Sequence, residues 1–237
     1  MWDTLVQIFI HGWLPALITA VAAYLLGSFN SAIVVTRLMG RGDIRNYGSG
    51  NAGATNMLRS QGVLPAALTT AGDLLKTFLA VWLGQWLMET YTGGNLDVHL
   101  VREFGAYLAG IVCILGHLYP LYFGFRGGKG VMATLGMALV LDWKVALICL
   151  GVFIVVVLLS RMVSLGSCCA GVALVSLTYV FRRFVYGQPE AEVTFCTVAL
   201  LLLVALLIAK HIPNLKRIAA GTESRISIGK KKDDTDN

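Results

Sequence analysis

Charge is what this sequence has least of. Asp, Glu, Lys and Arg make up only 14% of its 237 residues, against about 25% in an average soluble domain. Acids are the scarcer sign, 13 against 19 basic residues, for a net charge of +6 and a pI near 9.2. The five cysteines (Cys113, Cys149, Cys168, Cys169 and Cys196) all fall in apolar stretches. They read as buried thiols, which excludes a small secreted domain stapled by disulfides. No segment repeats, so an inverted-repeat transporter finds no support. His117 and His211 have no carboxylate or thiolate at ligand spacing, so no metal site is expected.

What is abundant is apolar surface: 57% of the residues, with a mean hydropathy of +0.73. A water-soluble globule of this length cannot hide so much, and a disordered chain would not carry it. The chain reads as an all-α, polytopic integral membrane protein of about seven transmembrane helices. A helix that crosses the hydrocarbon needs about 20 apolar residues. The candidate spans are 5–27, 64–88, 104–123, 131–141, 145–160, 164–181 and 193–209. The fourth and fifth are short. They read either as two half-depth helices or as one long segment bent around Asp142-Trp143-Lys144. The first span is too long to be read as a removed signal peptide.

Basic residues set the orientation. With alternating sides, four fall in 36–62, two in 124–131, one at Arg161 and seven from Lys210 onward, fourteen on one face against four on the other. Seven spans with the N-terminus outside and the C-terminus in the cytoplasm fit that bias; six would put the basic tail outside. Residues 1–229 read as one membrane domain. The remainder, 230–237, reads as a charged, disordered cytoplasmic tail whose lysines attract anionic headgroups.

The polar residues then need reasons one by one. Residues 40–62 read GRGDIRNYGSGNAGATNMLRSQG. Glycine admits backbone shapes in which successive N–H groups face one concavity, and such nests bind anions. Gly48, Ser49, Gly50, Asn51, Gly53, Thr55 and Asn56 offer donors without an acid among them, and Arg45 and Arg59 flank them. A phosphate would meet neutral donors backed by fixed positive charge, close to the start of whatever helix holds 55–68. The alternative is a flexible linker, although linkers rarely interleave Arg, Asn and Thr. Gly27-Ser28-Phe29-Asn30-Ser31, at the end of the first span, either packs helices or lines a site.

A second loop, GHLYPLYFGFRGGKG over 116–130, ends in Gly127-Gly128-Lys129-Gly130. It has the logic of a phosphate loop but lacks the Walker spacing. Lys129 suits a phosphate oxygen; Lys129 and Arg126 otherwise read as snorkelling positive-inside residues. His117 and His211 lie at or near membrane depth, where an ionisable group has a partner or a task. Asp73 and Lys76, three apart on one helix face, read as a self-neutralising internal pair.

Three segments resemble one family. They are Gly48-Ser49-Gly50-Asn51-x-Gly53-Ala54-Thr55-Asn56-x-x-Arg59, Gly116-His117-x-x-Pro120 through Phe125-Arg126-Gly127-Gly128-Lys129-Gly130-Val131, and His211-x-x-Asn214-x-x-Arg217-x-x-x-Gly221-x-Glu223. Together they are similar to the bacterial acyl-phosphate:glycerol-3-phosphate acyltransferases, the PlsY family. The resemblance implies a seven-helix inner-membrane enzyme with its motifs on the cytoplasmic side. It implies acyl phosphate and glycerol 3-phosphate as substrates, membrane lipid as surroundings, and neither cofactor nor nucleic acid.

By the same resemblance Ser49, Arg59, His117, Lys129, His211 and Asn214 serve catalysis. Arg45, Gly48, Gly50, Asn51, Gly53, Thr55, Asn56, Gly127, Gly128, Gly130, Ser164 and Arg217 serve substrate phosphate, and Asp73, Lys76 and Glu223 are structural. One departure stands out. The family usually has Val-Ala-Thr where this chain has Val131-Met132-Ala133-Thr134, which turns the threonine by about 100° on a helix; Thr134 is given no role.

No HxxxxD pair is present: Tyr122 is the fifth residue after His117 and Lys216 the fifth after His211. The base is therefore a histidine or a substrate phosphate, whose second pKa is about 6. Substrate assistance, with the histidines positioning, is the preferred reading. A transporter of phosphorylated anions, a membrane scaffold and a CoA-dependent acyltransferase are the rival readings.

Overall fold

The computed structural model describes Val6, Ile10, residues 12–92 and residues 97–226. The expected tail at 230–237 and the first residues of the first span lie outside them. The described chain is helical, with α1 Trp13–Ser28, α2 Ser31–Leu38, α3 Ala54–Ser60, α4 Val63–Tyr91, α5 Val98–Leu118, α6 Val131–Leu141, α7 Trp143–Ser160, α8 Val163–Val180 and α9 Glu190–Ala219.

Local chemistry fixes the breaks. The first span does not end at its polar segment. It bends by 40° at Phe29-Asn30 and continues as α2, because the Asn30 side chain accepts the Ile33 N–H at 3.1 Å and caps a new helix. Helix α5 stops at Leu118, two residues before Pro120, with Tyr119 held out of the helical region at φ −130° and ψ 67°, since pre-proline sterics disfavour it. Asp142 separates α6 from α7: its carboxylate accepts the N–H groups of Lys144 and Val145 at 3.0 and 3.2 Å. The stretch 131–160 is therefore two helices.

Helix α9 overruns the expected span by ten residues, with Pro213 inside it. Hydropathy marks where membrane character ends, not where helical backbone ends. The overrun places His211, Asn214 and Arg217 on one continuous helix. Helix α8 closes in one wider turn over Phe181–Val185.

Helices α4, α5, α7, α8 and α9 are long and apolar enough to cross a membrane, and the bent pair α1–α2 makes a sixth. Helix α6, with 11 residues, is about 16 Å long at 1.5 Å per residue, which is short of the hydrocarbon thickness by itself. Among the described residues each of the seven expected apolar segments contains a helix, and α6 has the expected bounds.

Glycine-mediated contact holds the bundle where helices cross. A Cβ on Gly84 would collide with the Gly105 carbonyl and the Ala109 side chain, and one on Gly27 with the Cys113 carbonyl. Close backbone approach of this kind is how apolar helices associate when lipid competes for their side chains. Around these crossings pack Tyr107, Ile114, Met137, Leu174, Leu200 and Leu203, all buried. Gly84→Val forces α4 from α5. Overpacking of this kind costs about 1–3 kcal/mol, and a thermal melt in detergent is expected to shift down by several degrees.

Candidate active site

A cavity of about 530 Å³ opens at one end of the bundle, where four separate stretches meet: 49–59, 129–132, 163–167 and 211–224. The first stretch is shaped by its own side chains. Asn56, almost wholly buried, accepts the Ser49 N–H at 2.9 Å and donates to the carbonyls of Tyr47 and Ile44. Gly48 turns with φ +54°, and a Cβ there would strike the Asn56 oxygen. Gly48 thus serves the turn and does not face the cavity. Residues 55–68 lie on two helices, α3 and α4, rather than one.

The loop has fewer open donors than its composition implies. The N–H groups of Ser49, Gly50, Gly53 and Asn56 are bonded within the loop. Those of Asn51, Ala54 and Thr55, all cavity-lining residues, make no hydrogen bond among the described residues.

Arg45 is displaced from the expected phosphate site. Its guanidinium pairs with Asp43 at 2.8 Å and donates to the carbonyls of Phe123 and Arg126 at 2.7 and 3.0 Å, stapling the first polar loop to the second. The hydrogen bond from Arg45 lowers the Asp43 pKa, as an adjacent cation does for any carboxylate. Gly127 and Gly128 also stand behind the wall. Their N–H groups bond the carbonyls of Leu118 and His117 at 3.2 Å, and a Cβ on either would collide with His117. They permit close packing, and neither lines the cavity. Lys129 and Gly130 do reach the cavity.

At the cavity's inner wall, Asp73 and Lys76 form the expected pair at 2.8 Å, and His117 joins them. The three are 2%, 6% and 3% exposed. An ammonium has three donors and no lone pair. Lys76 directs them at the Asp73 carboxylate, the Phe29 carbonyl (3.0 Å) and His117 Nδ1 (2.9 Å). Ser31 donates a further bond to Asp73 at 2.9 Å. With Nδ1 accepting, a neutral His117 carries its proton on Nε2 and is a donor there. His211 has the opposite arrangement: its Nδ1 lies 2.8 Å from the Leu207 carbonyl, so Nδ1 donates and Nε2 keeps the lone pair.

Across the cavity, Glu223 gathers the remaining polar groups. Its carboxylate accepts from Ser164 Oγ at 2.7 Å, Asn214 Nδ2 at 2.7 Å and Arg217 Nε at 2.8 Å. Asn214 accepts in turn from Lys129 Nζ. Burial alone would raise the Glu223 carboxyl, but the hydrogen bonds from Asn214, Ser164 and Arg217 outweigh it and hold its pKa below the usual value. Burial pulls Lys129 the other way, down to about 8. Arg217 and Arg59 add to that fall, and Glu223 opposes it. Arg59 donates to the Ser224 carbonyl at 3.2 Å, and Ile226 N–H to the Arg161 carbonyl at 2.8 Å, so residues 222–226 lie across the cavity.

Ser49, Arg59, His117, Lys129, His211 and Asn214 therefore share one cavity, with Gly50, Asn51, Gly53, Thr55, Asn56, Gly130, Ser164, Arg217, Asp73 and Glu223. Arg45, Gly48, Gly127, Gly128 and Lys76 stand outside its lining and support it. Sequence reasoning missed Met132, Phe153 and Ser167, which also line it. Ser167 was findable, three residues after Ser164 on the same helix face; Phe153 sits in an uninterrupted apolar run and gives no signal.

The model of the family described as glycerol-3-phosphate acyltransferase matches residues 17–221. The chain belongs to that family. A glycerol-3-phosphate acyltransferase of Ralstonia pickettii is 42% identical over 214 residues, covering 90% of this chain and 95% of that one. One of Thermoanaerobacter pseudethanolicus is 39% identical over 211 residues, covering 89% and 96%. Among solved structures, PlsY, an integral membrane glycerol 3-phosphate acyltransferase, in its glycerol 3-phosphate form is 34% identical with a TM-score of 0.72, over 90% of this chain and 96% of that one. Its lysophosphatidic acid form is 32% identical, with a TM-score of 0.71 over 90% and 95%. The acyltransferase family thus accounts for the three motifs and for the membrane-embedded helices that carry them.

Within this member of the family the Asp73–Lys76–His117 cluster is a packed charge balance. Removing one partner of a buried ion pair costs about 3–5 kcal/mol, because it strands the other charge. Lys76→Met is expected to destabilise the protein by that order in a detergent melt. The double variant Asp73→Asn/Lys76→Met should recover much of the loss.

Proposed function

We propose that the protein transfers an acyl group from acyl phosphate to the sn-1 hydroxyl of glycerol 3-phosphate, releasing inorganic phosphate and lysophosphatidic acid. The observation that carries this reading is the meeting of Arg59, Lys129 and Arg217 in one cavity whose inner wall runs on into an apolar groove. The cavity and the groove share Val131, Met132, Phe153 and Ser167. Two phosphates need cations to offset their repulsion, and an acyl chain needs an apolar bed beside them. The names of the relatives and the glycerol 3-phosphate and lysophosphatidic acid forms of PlsY support the acceptor and the product.

In this reading the hydroxyl oxygen attacks the acyl carbon, the bond from that carbon to the phosphate oxygen breaks, and the proton passes to a phosphate oxygen. An acyl phosphate is a mixed anhydride with a good leaving group, so no covalent enzyme intermediate is needed. Arg59, Lys129, Arg217 and the open N–H groups of Asn51, Ala54 and Thr55 stabilise charge as it moves onto the departing phosphate, the usual electrostatic route to rate. His117, a donor at Nε2, positions rather than deprotonates. His211, with its free lone pair, orients the acceptor, and a substrate phosphate takes the proton.

The same geometry supports a reading with seven crossings. The stretches before α3, α6 and α8 and after α9 converge on one cavity, so successive helices run away from it and back. Helix α6 counts as a short crossing, shielded by α4, α5 and α7, which pack against it. The basic excess puts that end in the cytoplasm, in a bacterial inner membrane, with residues 1–229 as one domain.

The test uses purified protein in detergent with radiolabelled glycerol 3-phosphate. Labelled lysophosphatidic acid and phosphate release are expected with palmitoyl phosphate and not with palmitoyl-CoA; the reverse, or anion flux in vesicles without turnover, would sink the reading. Arg59→Lys should lose at least about tenfold in kcat/KM, because an ammonium cannot reproduce a planar guanidinium contact.

The pH profile follows from Lys129. It is charged below about 8 and neutral above, so kcat/KM for glycerol 3-phosphate should fall as pH rises through about 8. Lys129→Arg, which stays charged, should shift that limb upward.

A further inference from the structure

The apolar groove leads somewhere. Along α8 the lining residues run in order from the site: Ser164 and Ser167 by the polar cavity, Gly171 and Leu174 in the groove, Thr178 and Arg182 beyond it. Along α6 the same order holds, from Val131 through Thr134 and Ala138 to Asp142. Thr134, Ala138 and Leu174 line both the groove and a further cavity of about 10 Å³, roughly the room for one water. They form a neck.

Past the neck the chemistry changes sign. The hydroxyls of Thr134 and Tyr107, on residues 6% and 1% exposed, find no hydrogen-bond partner among the described residues. Arg182 pairs there with partly buried Glu103 and packs over the Tyr107 ring. Unpaired buried hydroxyls call for a water when there is space. A methylene that displaces it leaves both hydroxyls bare, with their desolvation uncompensated.

We infer that this neck gauges the acyl donor, with Thr134 and Leu174 as the residues that set the chain length used best. The inference rests on the acyl transfer proposed above. Ten residues of α8 separate Ser164 from Leu174 and seven of α6 separate Val131 from Ala138, about 15 and 10 Å of helix. An extended alkyl chain with C–C bonds of about 1.5 Å advances about 1.25 Å per carbon, so the neck lies some eight to twelve carbons from the reacting end. A shorter chain lies wholly on apolar wall. A longer one presses its end against the polar floor or turns sideways into lipid, and loses part of its packing. Thr134, which has no place in the family pattern, acquires a role here.

The experiment measures kcat/KM for a series of acyl phosphates from ten to eighteen carbons, in detergent, for the parent and two variants. Thr134→Val removes the hydroxyl with little change of shape; the ratio of the sixteen-carbon to the ten-carbon donor should rise several-fold. Leu174→Trp closes the neck, and that ratio should fall by about tenfold, within the range one or two methylenes make in an apolar pocket. Thr134→Ser, which keeps the hydroxyl, should retain the parent's profile. Active variants with the parent's ratio would overturn the gauge while leaving acyl transfer standing. A parent that consumes no acyl phosphate of any length would overturn the acyl transfer itself. Should Leu174→Trp fail to fold, the near-isosteric Thr134→Val decides alone.

Discussion

One carboxylate holds the open end of this bundle together. Glu223 comes from the segment after α9, yet it binds Ser164 at the start of α8 and Asn214 and Arg217 on α9, and through Asn214 it reaches Lys129 before α6. Like-charged groups crowded into one concavity repel, and more strongly where low-dielectric protein surrounds them. A single buried anion lets Lys129 and Arg217 stand close without a ligand, and keeps the amide of Asn214 in one orientation. The Asp73–Lys76–His117 cluster does the same for the inner wall. The inner cluster balances its charge and the Glu223 cluster does so only in part, which leaves one net positive charge shared by Lys129 and Arg217, together with Arg59 and a few backbone donors, facing the cavity.

The other half of the design is close backbone contact. Arg45 ties the two polar loops by carbonyls, Gly127 and Gly128 let the second loop lie on His117, and Gly84 and Gly105 let α4 and α5 touch. None of these lines the cavity, yet each fixes a wall of the site to a rigid helix. In this membrane bundle the residues of a motif are therefore of two kinds, those that meet the cavity and those that bring its walls near enough to make one.

How far the sequence alone reached depended on the kind of signal. Apolar segments showed plainly in hydropathy, and α6 was bounded correctly because Gly130 and Asp142 punctuate it. The end of α9 was not, since lysines and arginines end a membrane stretch without ending a helix. The bend at Asn30 was hidden because an apolar helix resumes at once. Within the site, Ser49, Arg59, Lys129, His211 and Asn214 were legible as polar residues with no reason to lie in a membrane. The diversion of Arg45 was not, because its partners Phe123 and Arg126 are distant in sequence and offer carbonyls that any residue would supply. Glu223 read as structural, but no spacing could have said that its carboxylate gathers Ser164, Asn214 and Arg217.

Met132 and Phe153 border the wet cavity on one side and the oily groove on the other. Chemistry conducted at that shared partition has two doors. A small hydrophilic fragment can depart toward the water it came from, while a greasy one slides out between helices, and neither has to wait for the other to clear the way.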